Sequence, residues 1–267
     1  MTAVLACPHC ALPLQLTDVV ASCAGGHSFD RARGGYFNLL VGGRLGPTVT
    51  PGDTPDALAA RRRFLGAGHY APVAVALAEA VGAPDGPLLD VGCGEGYYLS
   101  QLSVAERFGL DVSKAAVQMA SRLLPAVQFV VGSAYRLPVL PDSVAVVTSV
   151  FAPHPFDEFS RVLRPGGRWV AVTPGPLHLR ELRPPLQGES ERKDAERLAR
   201  RAAAPPEAAW SRREQFQLVL TADALTDLFH MTPIRWQSGS APVVAAAAAS
   251  GATSVTVDVW LSASSAP

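Results

Sequence analysis

Leu89-Asp90-Val91-Gly92-Cys93-Gly94-Glu95-Gly96 is the stretch on which the fold turns. Pro87 to Val91 is a short apolar run of the kind buried in a parallel sheet, and it opens into a glycine turn ahead of a helix beginning at Tyr97. Glycines at 92, 94 and 96 leave the backbone bare, so a ligand can approach the peptide groups and the amides of a helix start. The string is G-x-G-x-G, not the G-x-G-x-x-G of a dinucleotide fold, although such a fold shares the logic. Asp111 stands 21 residues after Asp90, at the end of a second strand, where an acid can accept hydrogen bonds from both hydroxyls of a ribose. Working outward, strand and helix alternate. Strand 107–111 precedes a helix capped by Ser113 that runs to Leu124, and strands 127–131 and 143–150 follow. A helix over 157–163, closed by Arg164-Pro165-Gly166-Gly167, leads into strand 168–172. The pattern predicts an α/β fold with a doubly wound, mainly parallel sheet.

The N-terminus carries different chemistry. Cys7-Pro8-His9-Cys10, twelve residues, then Cys23-Ala24-Gly25-Gly26-His27 spell C-x2-C-x12-C-x3-H. Each short knuckle turns two donors toward one point, and four such donors suit tetrahedral zinc with no position left for substrate, so the site reads as structural. Pro8 stiffens the first knuckle, and Gly25-Gly26 permit the second turn. Apolar positions between the knuckles predict a two-strand ribbon. His9 competes with His27 as fourth ligand, but it lies inside the first knuckle, where its ring would point away. Disulfides and ordinary buried thiols are the alternatives; three cysteines cannot pair off.

The 267-residue chain balances 23 Lys+Arg against 23 Asp+Glu, and is 48% hydrophobic and 17% charged. Wholesale disorder is excluded, and net charge announces no nucleic-acid partner. There is no run of 18 apolar residues and no basic region ahead of an apolar N-terminal core, so neither a membrane span nor a signal peptide is expected; the cytoplasm is the default. Arg31 and Arg33 interleave with Phe29, Tyr36 and Phe37, and Arg44 and Arg61-Arg62-Arg63, which opens a helical stretch, follow; this set reads either as a phosphate and base platform or as a small core with a solvated face. Residues 41–55 read as a loop, Glu189 to Ala204 as a charged helix, and Ser254 to Leu261 as a late antiparallel strand.

Taken in order, the glycine turn, Gly109-Leu110-Asp111-Val112-Ser113 and Leu163-Arg164-Pro165-Gly166-Gly167 resemble the class I S-adenosylmethionine-dependent methyltransferases. The resemblance implies a Rossmann-like sheet with the cofactor across the strand carboxyl ends. Asp90 would lie by its methionine amine, directly or through water, with Gly92 also binding the cofactor, Gly94 and Glu95 along its methionine half, Asp111 on the ribose, and Ser133 and Ala134 facing adenine. Adding the Cys/His module, Phe29-Asp30-x-Ala32-Arg33-x-Gly35-Tyr36-x-Asn38-Leu39-Leu40, Gly68-His69-Tyr70, Thr173-Pro174-Gly175-Pro176-x-His178-Leu179 and Met231-Thr232-Pro233 narrows the likeness. Together these resemble the RlmA-type ribosomal RNA guanine-N1 methyltransferases, over residues 7 to about 233.

That resemblance implies zinc on Cys7, Cys10, Cys23 and His27, and S-adenosylmethionine contacts from Tyr70, Gly94, Glu95 and His178. It implies a guanosine in a hairpin loop of 23S ribosomal RNA as substrate, a homodimer, and no membrane partner; one branch of the family is linked to macrolide resistance. The expected organisation is a zinc-binding RNA-recognition module over 1–40, a linker and helical segment over 41–84, and the methyltransferase domain over 85–267. No residue identifies itself as the general base: His154 in Phe151-Ala152-Pro153-His154-Pro155 reads equally as a base or a loop residue. Tyr36, Tyr98 and Phe151 are candidates to stack on the target base or to fill core. The competing functions are a small-molecule methyltransferase and a catalytically inactive RNA-binding protein of the same fold.

Overall fold

The structure, a computed structural model, describes residues 4–41, 54–183, 204–237 and 239–265. The helix expected over Glu189 to Ala204 lies outside them except for Ala204, as do Arg44 and most of the 41–55 loop. In chain order the first elements are β1 (Gln15–Leu16), β2 (Val20–Ser22), β3 (Ser28–Asp30), β4 (Phe37–Asn38), α1 (Pro55–Gly66), α2 (Ala71–Val81), β5 (Leu88–Val91) and α3 (Tyr97–Ser100). Then come β6 (Arg107–Asp111), α4 (Lys114–Leu123), β7 (Gln128–Val131), β8 (Val144–Val150), α5 (Phe156–Val162) and β9 (Leu163–Pro174). The last are β10 (Trp210–Leu220), α6 (Ala222–Met231), α7 (Ser240–Ala249) and β11 (Thr253–Ala263). No single helix among the described residues is long and apolar enough to cross a membrane.

The chain divides into two compact units. One comprises Met1–Gly52, Leu77–Ala171 and Ala263–Pro267; the other comprises Asp53–Ala76 and Val172–Ser262. In the first, strands lie in the order β9-β8-β5-β6-β7-β4. The β4–β7, β5–β6, β5–β8 and β6–β7 pairs are all parallel, as strand–helix alternation requires. β5 and β8 are buried along their whole length and, apart from Asp90, Thr148 and Ser149, are apolar. Asp90 is paired with Gly109 and with Thr148, and Asp111 with Val131, so the acids finish at the carboxyl ends of adjacent strands. α4 starts where Ser113 Oγ accepts the Ala116 amide at 3.3 Å, the N-cap its sequence announces.

The Cys/His module folds as a three-stranded antiparallel sheet, β1-β2-β3, where two strands were expected. It is stitched into the first unit at both ends. Before it, the Ala6 amide donates to the Pro138 carbonyl and the Leu140 amide to that of Val4, both at 2.9 Å. After it, Phe37 and Asn38 pair with Val130 and Val131, and the Leu39 amide donates to Val131 at 2.9 Å. Arg31 donates to Gln128 Oε1 at 3.1 Å and to the Gly35 carbonyl, with its guanidinium 5.4 Å from the Phe37 ring centre. Tyr36 and Phe37 are fully buried, which gives them to the core rather than to a base-stacking platform.

In the second unit α1 begins at Pro55, six residues before the Arg61-Arg62-Arg63 run that announced it. Thr54 Oγ1 accepts the Ala57 amide, Pro55 occupies the first helical position, and Asp56 lies in the first turn. α1 buries Leu58, Phe64 and Leu65 and packs on α6, with Arg63 forked onto Asp227 through Nε at 2.9 Å and Nη2 at 2.5 Å. β10, β11 and the end of β9 follow in the order β10-β11-β9. β9 starts at Leu163, so Arg164–Gly167 belongs to the strand's first residues rather than to a separate turn.

Phe37 is the largest side chain in the two-residue strand that ties the module to the sheet, and it is inaccessible to solvent. Phe37→Ala is expected to cost about 3–5 kcal/mol of stability, read as a fall in the urea midpoint at unchanged slope.

Candidate functional site

Two constellations stand out, and both lie within the first unit. The first is the set Cys7, Cys10, Cys23 and His27, whose donor atoms all fall within 4.8 Å of one another. Cys10 Sγ is 3.6 Å from Cys23 Sγ, and His27 Nδ1 is 3.5 Å from each of these sulfurs. Sulfur at about 2.3 Å and imidazole nitrogen at about 2.0–2.1 Å from a tetrahedral zinc stand about 3.8 Å apart for two sulfurs and about 3.6 Å for sulfur and nitrogen. The donor set fits that ion. Local turns build it: Gly26, at φ +82°, donates its amide to the Cys23 carbonyl, and the Cys23 amide donates to that of His27. A Cβ on Gly25 would press to 3.2 Å from Cys10 Sγ. Burial raises the Cys23 thiol, but the His27 amide and ring, Cys10 and the Gly25 amide outweigh it and bring it down to about 6, giving the thiolate a metal needs. His9 stacks on the outside of the His27 ring, centroids 4.8 Å apart, and on Phe29, and is not among the converging donors.

The second constellation gathers the carboxyl ends of β5, β6, β7 and β8. Gly92, at φ +77°, makes the turn out of β5, and an added Cβ there would collide with that of Ala152 after β8. Asp111 spans two turns: its Oδ2 accepts the Gly94 amide at 2.9 Å and its Oδ1 the Ser113 amide at 2.8 Å. Asp90 is buried, and its Oδ1 accepts the Thr148 hydroxyl at 2.8 Å. Burial pushes the Asp90 carboxyl up to about 7, the Thr148 bond opposes this, and the negative field of Asp111 adds to it. A buried acid held near neutrality fits a ligand that brings a cation, such as an amino-acid ammonium. Glu95, in the glycine turn, is buried as well. Ser133 and Ala134, half-buried, follow β7, and Ser133 Oγ accepts the Tyr135 amide. Burial, then the carboxylates of Asp111, Asp90 and Glu95, drive the Cys93 thiol well up, so it is a protonated packing group.

After β8, Phe151 is exposed at 39% and holds φ +52°, a strained conformation for a bulky residue of the sort that gathers at functional sites. Its ring lies 6.5 Å from that of Tyr98, centre to centre. His154 packs against Phe156 and Phe159, and burial lowers its pKa, keeping it neutral. Tyr70 and His178 belong to the second unit, their ring centres 6.3 Å apart. Tyr70 is buried against Phe64, and burial raises its hydroxyl pKa. His178 is also buried; burial, then the charge of Arg183, lowers it to about 4, so the ring is neutral.

A family model for the methyltransferase domain matches residues 88–167, and one for the RlmA N-terminal zinc ribbon matches residues 5–41. The Streptomyces fradiae 23S rRNA (guanine(748)-N(1))-methyltransferase is 40% identical over 244 residues, covering 87% of this chain and 85% of that protein. A Micromonospora griseorubida protein provisionally named a 23S rRNA (guanine-N(1)-)-methyltransferase is 38% identical over 274 residues, covering 92% and 91%. Among solved structures, YcgJ from Bacillus subtilis aligns with a TM-score of 0.44 at 20% identity over 73% of this chain and 97% of its own. With an acidic cradle at the strand ends, a Cys3His cluster and relatives matched over most of their length, the chain belongs to the RlmA-type family of 23S ribosomal RNA guanine-N1 methyltransferases.

Proposed function

We propose that the protein transfers the methyl group of S-adenosylmethionine to N1 of a guanosine in a hairpin loop of 23S ribosomal RNA, in the cytoplasm and as a homodimer. The observation that carries this reading is that the zinc-fitting cluster and the acidic cradle lie in one compact unit, the antiparallel Cys/His module being tied by β4 to the parallel sheet whose strand ends form the cradle. The cofactor supplies a sulfonium-bound, electrophilic methyl group. Asp90 receives its ammonium. Asp111, whose carboxylate accepts the Gly94 and Ser113 amides at the end of β6, takes the ribose hydroxyls. Gly92, Gly94 and Glu95 line the methionine half, and Ser133 and Ala134 face adenine. Tyr70 and His178 are assigned to the same ligand by the family resemblance. Methyl transfer would be an in-line displacement in which the S–CH3 bond breaks as the N1–CH3 bond forms, S-adenosylhomocysteine leaves and the N1 proton passes to water, so positioning supplies most of the acceleration. Phe151, exposed and strained, is the aromatic best suited to receive the unstacked guanine.

Cys7, Cys10, Cys23 and His27 hold a structural zinc, and the module over 1–40 grips the RNA through the shape the metal gives it. The 85–267 segment carries the chemistry, and 41–84 leads from one to the other. The direct test is to map methylated guanosines in 23S ribosomal RNA from cells with and without the gene. One loop guanosine that loses its N1 methyl group supports the reading; an identical map refutes it.

Three variants probe the parts. Asp111→Ala removes the acceptor of two amides and of the ribose, and cofactor affinity by calorimetry is expected to fall at least about tenfold. Cys10→Ser is expected to expose the first 40 or so residues to protease and to cut RNA affinity while cofactor affinity holds. For Asp90, the folded chain keeps a proton up to about pH 7 that the unfolded chain releases near 3.8. That contribution to stability is full below the lower value and is lost as the pH rises toward the upper one. Asp90→Asn, uncharged throughout, is therefore expected to melt above the wild type at pH 8 and alongside it at pH 4; equal melting at pH 8 would contradict the buried-acid assignment.

A further inference from the structure

We infer that Asp258, in the closing strand β11, is a positioning residue that sets His178 for the cofactor, and that this is the task of the chain's last strand. The inference rests on the reading that His178 touches S-adenosylmethionine. Asp258 is wholly buried, and its carboxylate takes a two-pronged bond from Arg213 on β10, Nε to Oδ1 at 2.7 Å and Nη2 to Oδ2 at 2.9 Å. Its Oδ2 also accepts the Leu177 amide at 2.7 Å. The backbone of β11 holds the residues on either side. The Gly175 amide donates to the Asp258 carbonyl and the Leu179 amide to that of Thr256, each at 2.7 Å. Three alternate amides of the 175–179 loop are thus anchored on one strand, with the charged side chain at the centre.

His178 sits between these anchors. Its Nδ1 accepts the Asp258 amide at 3.3 Å, which leaves the ring proton on Nε2. Its own amide donates to the Gly175 carbonyl, and its carbonyl accepts from Arg183. Backbone pairing alone would hold an ordinary loop. Burying a carboxylate carries a desolvation cost that only full pairing offsets, and here the pairing fixes the residue just before His178. Gly175 shows how closely the loop is fitted, because a Cβ there would stand 2.6 Å from the Asp258 carboxyl atoms.

The experiment uses the full chain, S-adenosylhomocysteine as calorimetric ligand and a 23S ribosomal RNA hairpin as methyl acceptor. Asp258→Asn keeps the shape and removes the charge. It is expected to weaken the ligand about tenfold and raise the KM for S-adenosylmethionine, with kcat at saturating cofactor unchanged. Gly175→Ala displaces the carboxylate while keeping its charge, and is expected to act the same way; it decides the matter if Asp258→Asn does not fold. His178→Ala separates the two layers. If it binds the ligand as the wild type does, the reading of His178 fails and the inference with it. If it weakens binding while Asp258→Asn and Gly175→Ala, both melting cooperatively, bind normally, positioning by Asp258 is refuted. A double variant of 178 and 258 that binds no more weakly than His178→Ala alone supports it.

Discussion

One carboxylate at the end of β6 holds the cradle in shape. Asp111 accepts the Gly94 amide from the turn after β5 and the Ser113 amide from the turn after its own strand, so two loops that share no sequence are locked to each other. Ser113 is also the cap of α4, whose leading amides need acceptors in any case, while Gly94 lies in the glycine turn two residues ahead of the cap of α3. A second acid only one strand away behaves differently because of where it is put. Asp90 faces Thr148 in the interior and stays near neutrality. The pair divides two tasks, one acid maintaining backbone geometry and the other holding its proton up to about pH 7 because it is buried.

The cradle was legible in the sequence because its signals are local. A buried run breaking into glycines, an acid at a strand end and a Ser N-cap each act within a few residues, and β6 occupies the five residues expected. The Cys3His cluster was legible for the same reason: ligand spacing is a property of two short knuckles. What long-range pairing decides was not. β4 is two residues long and exists because Val130 and Val131 lie across from it, ninety-odd residues away. Tyr36 and Phe37 look like a stacking pair next to two arginines, yet they are core. The start of α1 is an intermediate case. Thr54-Pro55-Asp56 is a cap, a first-turn proline and a first-turn acid in succession, but the arginine run six residues on is the louder mark. Asp258 carries no motif; its one trace in sequence is a charge in the alternation Val255-Thr256-Val257-Asp258-Val259.

The two units place their polar groups inside by different rules. In the first, Asp90 is buried near the end of β5 and Asp111 half-buried at the end of β6. In the second, Asp258 is consumed within the protein by Arg213 and the Leu177 amide, and Glu181 likewise accepts the Thr256 amide at 2.9 Å and the Arg180 guanidinium at 3.1 Å. Such groups hold a loop to a strand more exactly than apolar contacts do, because each bond has a direction.

The attachment of the Cys/His module along β7 has a consequence beyond recognition. β7 would otherwise be the rim of the sheet, offering a row of bare amides and carbonyls to any extended chain it met. Two residues of β4 and the segment around Leu5 and Ala6 occupy that rim and its flank. The module that the Cys/His cluster shapes therefore also covers the sheet's sticking edge, the place where a bare strand would recruit other chains.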